Sequence, residues 1–207
     1  MAYQEERLAE LLCARLCHDL AGAIGAVSAG AELLAEEGPA SPMAAEAVSL
    51  LADSAASMTA RLKFLRLALG VSSASAPAEA RPLAHAYLEK GYPQGEWRLD
   101  WPADQGAAAS PDHAKLLLNL ICLAQDCLPR GGVIAVRPQD AVLVAARGEI
   151  LTAGESVQGL TATELAGLGP RAGQGAYSAF LAARLGGAIA WRQGEGEIAF
   201  SLGGKPV

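Results

Sequence analysis

Two long helices are predicted at the start of the chain by the spacing of their apolar residues. In the first helix, apolar residues recur every three or four positions, which places them on one face of an α-helix. These residues are Leu8, Leu12, Leu16, Leu20, Ile24, Val27, Ala31 and Leu34. In the second helix, which begins near Pro42, the spacing alternates between three and four. Its residues, here called the heptad seam, are Val48, Leu51, Ala55, Met58, Leu62, Leu65 and Leu69.

The two predicted helices form a hairpin, because a short turn, residues 38–41, joins them. A lone hairpin buries only one face of each helix, and a heptad pattern is typical of bundles and coiled coils. Pairing two copies into a four-helix bundle would cover the heptad seam of both chains. The sequence therefore predicts a homodimer.

The spacing of apolar residues changes after residue 70. Residues 71–80 are small, polar and proline-containing, which predicts a linker. Beyond them helices and strands alternate, as in a small α/β layer domain. Helices are predicted at 82–90, 111–128 (with Ser110 as N-cap) and 176–185, and strands at 97–101, 133–136, 141–146, 189–191 and 198–202. We therefore divide the chain into a helical hairpin (1–70), a linker (71–80) and an α/β domain (81–207).

Composition narrows the choice of partners. The formal net charge is −6 and no basic run is present, which disfavours nucleic acid and anionic membrane as partners. The sequence shows no apolar stretch of membrane-spanning length and no signal-peptide pattern, so a cytoplasmic protein is expected. Cys13, Cys17, Cys122 and Cys127 are expected to be small buried or half-buried residues. A metal site at the first two is less favoured, because no further ligand cluster follows.

His18 is the candidate functional residue of the first helix. At about 100° per residue it lies about 160–200° from Leu16 and Leu20, so it points away from the apolar face. Its neighbours on its own face are all small, and they are Ala14, Ala21, Gly22 and Gly25. Each glycine inside a helix costs on the order of 0.5–1 kcal/mol relative to alanine. The bare surface is therefore expected to serve a purpose, namely access of another protein to the imidazole.

The segment Cys17-His18-Asp19-Leu20, followed by small residues and Ile24, resembles the H-box of the dimeric phosphotransfer domain of sensor histidine kinases. The longer run LLCARLCHDLAGAIGAVSAGAELL resembles ChpT-type histidine phosphotransferases of alphaproteobacteria, and this resemblance covers essentially the whole chain. It implies that the hairpin is followed by a Bergerat-like α/β sandwich domain, similar to the ATP-binding domain of histidine kinases.

Three segments in the second half of the chain resemble nucleotide-binding motifs of histidine kinases. In each of them, residues that would bind nucleotide or magnesium are missing. By this resemblance, Leu123 stands where the N-box of kinases has a second asparagine, and Ala146 where kinases have an adenine-reading aspartate. The glycine-rich phosphate loop survives only as Gly173-Gln174-Gly175. An apolar side chain can neither coordinate magnesium nor accept a hydrogen bond from adenine. We therefore expect no cofactor on this chain, and magnesium on a partner receiver domain.

The resemblance implies a phosphorelay histidine phosphotransferase, which accepts a phosphoryl group on His18 from a hybrid kinase's receiver domain and passes it to response regulators. A neutral imidazole has a lone pair free to attack phosphorus. Asp19 is implied to orient the ring, with a simple solvated charge as its alternative. Arg15 is a candidate for holding phosphate or docking a receiver, although a plain surface position is favoured. The family implies a CckA-like donor and CtrA-like and CpdR-like acceptors, in cell-cycle control.

Two other functions stay open at this point. An ATP-dependent histidine kinase core would need nucleotide-binding residues that the sequence does not show. A non-catalytic adaptor would bind receiver domains through its bundle and would not need His18. His85 and His113 show no partner pattern and are expected to be structural or surface residues.

Overall fold

A helical hairpin followed by an α/β domain makes up the fold, which confirms the predicted fold class. The computed structural model describes residues 2–37, 41–71, 73–92, 96–138 and 143–203, so residues 38–40 of the predicted turn (38–41) lie outside the described residues. The elements are α1 (Ala2–Glu37), α2 (Ala44–Leu69), α3 (Ala76–Glu89), β1 (Trp97–Asp100), α4 (Pro111–Asp126), β2 (Gly132–Arg137), β3 (Leu143–Arg147), α5 (Glu155–Thr161), α6 (Pro170–Arg184), β4 (Ala188–Gly194) and β5 (Glu197–Gly203).

The strands of the described residues form one mixed sheet in the order β1-β2-β3-β5-β4. β1 and β2 are parallel, and the other neighbours are antiparallel. Ile134 and Phe200 point into the main core, whereas Ala135, Ala145 and Ala199 form a small cluster of their own. This alternation follows from the two-residue period of a strand, which is why most strands were predictable from the sequence.

One core joins the hairpin to the α/β domain. Phe64 and Leu65, near the end of α2, are buried in the same cluster as Tyr87 of α3 and Leu116 and Leu120 of α4. The rings of Phe64 and Tyr87 stack with their centroids 3.8 Å apart. The end of α2 is therefore part of the core of the α/β domain, and this fixes the hairpin against the domain.

The predicted linker is too long, because α3 already begins at Ala76. Ala76, Ala80 and Ala84 recur every four residues and are buried in the core. Pro77 lies in the first turn of the helix, where a missing N–H leaves no helical hydrogen bond unmade. The residues of 76–80 are thus small because α3 packs closely, and not because the segment is a flexible connection.

The helix α1 packs against two different elements along its length. Near its start, Leu11 is buried and lies against Gly173 of α6. Further along, Gly30 is buried against Leu51 of α2. The apolar face that the sequence predicts for α1 is only partly covered within one chain, since Ile24 is 50% exposed.

The heptad seam of α2 is also only partly covered within one chain. Leu65 is 2% exposed, but Val48 is 53% and Leu62 50% exposed. The face of α2 that is buried consists mainly of small residues, together with the end of the helix: Ala44, Ala47, Ser54, Ser57, Ala60, Phe64, Leu65, Leu67 and Ala68. The hairpin therefore presents an apolar surface that its own chain leaves uncovered.

Among the described residues, one helix segment, Gln4–Glu36, is long and apolar enough by length and composition to cross a membrane. The sequence alone indicated no such stretch, because charged residues interrupt the apolar run. Two of those residues, Arg15 and Asp19, pair with each other inside the protein. A lone segment of this kind is weak evidence for a membrane span.

The segment Gly173-Gln174-Gly175 is not a loop, which corrects the expectation of a surviving phosphate loop. It lies inside α6, which begins at Pro170 and so earlier than predicted. A Cβ atom at Gly173 would lie 2.8 Å from the Cβ of Leu11, and one at Gly175 would lie 2.0 Å from the backbone oxygen of Ser156 in α5. These glycines therefore allow α6 to approach α1 and α5 closely.

Local signals located the other elements well. The hydroxyl of Ser110 accepts a hydrogen bond from the backbone N–H of His113 at 3.3 Å, as expected of an N-cap, and α4 ends at Asp126, slightly before the predicted end. The hairpin of β4 and β5 turns at Gly196, which has a φ of +70°. The helix α5 was not predicted, because seven residues are too few to show a period. Residues 141 and 142 of a predicted strand lie outside the described residues.

Candidate functional site

His18 lies on the exposed side of α1, and its side chain is 71% exposed. The small residues predicted around it, Ala14, Ala21, Gly22 and Gly25, are all exposed as well. A Cβ atom built at Gly22 or Gly25 meets no atom within 4 Å. The structure thus brings these residues onto one open surface, here called the small-residue face. Its role in docking a partner stays a prediction.

Asp19 is the immediate neighbour of His18, yet its side chain is only 9% exposed. Its Oδ1 atom lies 3.2 Å from Nδ1 of His18, and its Oδ2 atom accepts a hydrogen bond of 2.7 Å from Nε of Arg15. An ionised carboxylate only accepts hydrogen bonds, so Nδ1 of the ring is the donor. The lone pair of neutral His18 is then on Nε2. The alternative of Asp19 as a simple solvated charge is therefore wrong.

Arg15 is buried, at 5% exposure, which corrects the plain surface position favoured from the sequence. Its two terminal nitrogens donate hydrogen bonds of 2.8 and 3.0 Å to the two carboxylate oxygens of Asp126, at the end of α4. Burial lowers the pKa of Arg15, but the hydrogen bonds and charges of Asp126 and Asp19 outweigh this effect and raise it overall. Direct contact of Arg15 with a receiver would require it to leave both carboxylates.

Arg61 of α2 binds the backbone of α1 at Asp19. Its guanidinium donates hydrogen bonds of 2.6 Å to the carbonyl oxygen of Asp19 and 2.5 Å to that of Gly91. It also lies 3.9 Å from the ring centroid of Tyr92, a cation–π contact. Sequence reasoning missed Arg61 because its partners are 30 and 42 residues away.

A groove of about 630 Å³ opens beside His18, between the hairpin and the α/β domain. The α/β side of the groove includes Trp97, Pro129 and Arg171. Arg171 lies in the first turn of α6 and is exposed. A partner that enters this groove would meet both the imidazole and the α/β domain.

The places that resemble nucleotide-binding positions lie inside the core. Leu123 and Ala146 are both 0% exposed. Asn119, in the same run as Leu123, donates hydrogen bonds to the backbone oxygens of Ala68 and Lys115, at 2.8 and 2.7 Å, and accepts one from Gln174. The polar groups of this run therefore join α4 to α2 and α6.

Of the remaining histidines and cysteines, Cys17 is the sequence neighbour of His18. His113 bonds to Ser110, and His85 lies 3.8 Å from Glu89. Cys122 and Cys127 are buried as expected, but Cys13 and Cys17 are exposed, so the expectation of buried filler is wrong for this pair. Across the described ranges, no group of three or more His, Cys, Asp or Glu side chains is placed to hold a metal ion.

An exposed histidine on a helical hairpin, fixed against an α/β domain, is an arrangement expected of phosphotransfer proteins. A family model described as the histidine phosphotransferase C-terminal domain matches residues 77–197, which is more than half of the chain. The chain therefore belongs to this histidine phosphotransferase family. The match lies in the α/β domain, and the hairpin with His18 precedes it.

Two individual proteins are similar to this chain. The protein phosphotransferase ChpT of Brucella abortus (strain 2308) is 35% identical over 136 residues, which are 63% of this chain and 60% of that protein. The aligned region thus spans less than two thirds of that relative. A solved structure of a bacterial phosphotransferase superposes with a TM-score of 0.75 at 28% identity, and 95% of each chain is covered. The resemblance noted from the sequence is confirmed at the level of the family.

Proposed function

We propose that this protein is a phosphorelay histidine phosphotransferase, which takes a phosphoryl group onto Nε2 of His18 and passes it on. The observation that carries the proposal is the contrast between His18 and Asp19. The ring is 71% exposed, whereas the carboxylate that contacts its Nδ1 atom is 9% exposed. An imidazole that a partner can reach, and whose Nδ1 atom contacts a buried carboxylate, suits phosphoryl transfer between proteins. Such transfer depends mainly on positioning.

The chemical step needs no group on this chain beyond the imidazole and its carboxylate. The lone pair of Nε2 forms a bond to the phosphorus of an aspartyl phosphate, and the bond from phosphorus to the donor carboxylate breaks. The donor carboxylate leaves with the electron pair. His18 keeps its proton on Nδ1 and becomes positively charged, and Asp19, 3.2 Å away, stabilises that charge. The reverse step delivers the phosphoryl group to an acceptor carboxylate.

The partners that fit this chemistry are receiver domains, which supply the aspartate and the magnesium. The proposal includes a hybrid kinase receiver as donor and response regulators as acceptors. A CckA-like donor, CtrA-like and CpdR-like acceptors and a part in cell-cycle control are its finer form, and they rest on the resemblance of the sequence. The small-residue face is the proposed floor of the interface, because bare helix surface lets a receiver approach the ring in line.

We further propose that the functional unit is a cytoplasmic homodimer with a four-helix bundle. Apolar side chains of the hairpin that one chain leaves about half exposed include Ile24, Val48, Leu50 and Leu62. Fully burying an exposed leucine-sized side chain contributes roughly 1.5–3 kcal/mol, and each of these half-buried side chains would gain about half of that between two chains. The uncovered apolar surface of the hairpin, which includes Val48 and Leu62 of the heptad seam, is therefore the proposed dimer contact.

The alternative of an ATP-dependent kinase is disfavoured, because the positions that resemble nucleotide-binding motifs are occupied by buried core residues. Leu123 and Ala146 are apolar and completely buried, and Gly173 and Gly175 serve helix packing. A ligand at these positions would have to displace core residues, which is costly in a close-packed interior.

The proposal is tested by phosphoryl transfer from a phosphorylated receiver domain. Wild-type protein should take up a label that is labile in acid and stable in alkali, and His18→Ala should take up none. His85→Ala and His113→Ala are matched controls and should keep the label. If His18→Ala binds receivers normally but wild-type protein is never labelled, the chain is an adaptor instead.

A further inference from the structure

We propose that Arg15 and Asp126 are positioning residues for His18, so that the α/β domain acts on the phosphoryl transfer through the end of α4. This inference rests on the proposed function and deepens it. A buried chain of charged groups runs from Asp126 through Arg15 and Asp19 to the imidazole, and each link is a hydrogen bond or close polar contact.

Each of the three guanidinium nitrogens of Arg15 donates a hydrogen bond to a carboxylate. Both oxygens of Asp126 accept from the terminal nitrogens of Arg15, which fixes the plane of the guanidinium. The remaining Nε–H of Arg15 points at Oδ2 of Asp19. With Oδ2 held, Oδ1 of Asp19 is left for Nδ1 of His18. The carboxylate cannot rotate without breaking the Arg15 bond, so the ring is held with Nε2 facing the partner.

The stability of the fold does not by itself explain why charged residues occupy positions 15, 19 and 126. Asp126 is the last residue of α4, where the helix dipole disfavours a negative charge. Side chains of Arg15, Asp19 and Asp126 are 6%, 9% and 13% exposed, so three charges are desolvated together. Apolar residues at such positions are often equally or more stabilising than a buried ion pair. An arrangement that fixes one carboxylate beside the exposed histidine favours a role in orientation.

The inference also assigns a task to the α/β domain. Its nucleotide-like positions are filled by core residues, yet Asp126 at the end of its central helix reaches α1 within one turn of His18. The domain would thus determine which ring nitrogen is free. This is a positioning role, because Asp126 acts on His18 through its hydrogen bonds to Arg15.

The primary test is Asp126→Asn, which preserves shape and removes the charge. Histidine labelled with ¹⁵N reports the tautomer of His18, whose signals are assigned by their loss in His18→Ala. We expect neutral His18 to be mainly the Nδ1–H tautomer in the wild type, and Asp126→Asn to give a mixture. We also expect kcat for phosphoryl transfer to fall about tenfold, with KM for the receiver changed less than twofold.

Asp100→Asn is the matched control, because Asp100 forms an ion pair of 2.8 Å with Arg137 on the sheet, away from His18. It should change neither the ¹⁵N signals of His18 nor kcat. Arg15→Lys is the second variant, since an ammonium keeps the charge but cannot bridge both carboxylates as the guanidinium does. It should shift the tautomer in the same direction.

The outcomes separate the two proposals. The tautomer is measured without any receiver, so a shift in Asp126→Asn supports the positioning role even if phosphoryl transfer is not observed. Unchanged ¹⁵N signals in a folded Asp126→Asn protein overturn the inference, whether or not His18 accepts phosphate. If both Asp126→Asn and Arg15→Lys unfold, the ion pairs are needed for stability and the inference fails as well.

Discussion

Nε of Arg15 lies 2.7 Å from Oδ2 of Asp19, one helical turn further along α1, and both side chains are less than a tenth exposed. His18 immediately precedes Asp19 in the sequence, and its side chain is 71% exposed. A single turn of helix therefore carries both a buried ion pair and an accessible imidazole. The reactive surface is supported by charges that solvent hardly reaches.

Enlarging the small-residue face should slow transfer without harming the fold. Gly22→Leu and Gly25→Leu add side chains where nothing lies within 4 Å, and leucine favours helix over glycine. We expect an unchanged or higher melting temperature and a transfer rate lower on the order of a hundredfold, because the receiver is displaced by about 1 Å or more. Single-turnover kinetics and thermal unfolding measure the two effects.

Gly175→Ala is the matched control for these glycines. Its added Cβ would lie 2.0 Å from the backbone oxygen of Ser156, so it should lower the melting temperature and leave the small-residue face intact. Wild-type transfer rates in stable Gly22→Leu and Gly25→Leu proteins would show that receivers dock elsewhere.

A charge in the uncovered part of the heptad seam should separate the dimer into folded monomers. Leu62 is 50% exposed within one chain, so Leu62→Glu is compatible with the folded chain but leaves an unpaired carboxylate in the bundle. Light scattering should report a monomer, with helical circular dichroism preserved. Lys63→Glu, the next residue and exposed, should stay dimeric. A wild-type protein that is monomeric at all concentrations contradicts the proposal.

Titration with magnesium and ATP should show no binding up to millimolar concentrations, where binding would still be worth about −4 kcal/mol. Leu123→Asn restores the residue type of a kinase N-box but introduces an amide into a fully buried position. We expect it to destabilise the protein by about 1–3 kcal/mol and to create no binding. Calorimetry and urea unfolding measure both. Micromolar binding by the wild type would favour the kinase alternative.

Two buried thiols should make stability depend on alkaline pH. Burial raises the pKa of both Cys122 and Cys127 from 9.0 to about 12. In the unfolded chain these thiols lose their protons at lower pH than in the folded protein. Their contribution to stability is therefore complete below pH 9.0 and is lost as the pH rises to about 12.

Urea unfolding at increasing pH measures this effect, and the free energy of unfolding should fall above pH 9.0. Thiol labelling provides an independent measurement. At mildly alkaline pH, Cys13 and Cys17 should react in the folded protein, because both are exposed, whereas Cys122 and Cys127 should react only after urea is added. Rapid labelling of all four cysteines in the folded protein would contradict the burial of the second pair.

Elements with strong local signals could be predicted from the sequence. Three- and four-residue spacing located α1 and α2, and Ser110 with Pro111 located the start of α4, because caps and periodicity depend on neighbouring residues. The beginning of α3 was missed because small residues at 76–80 suit both a linker and a close-packed helix. Gly173 and Gly175 were misplaced for the same reason, since glycine permits turns and close helix contacts alike.

At the site, periodicity alone placed His18 on the exposed side of its helix, because the direction of a side chain depends only on helix geometry. The burial of Arg15 could not be read in this way, since its partner Asp126 is 111 residues further along the chain. An arginine one turn before an exposed histidine is expected at the surface, until folding brings Asp126 at the end of α4 into contact with it. Which residues are exposed on a helix follows from local pattern, but which charges support them depends on distant segments that meet only when the core packs.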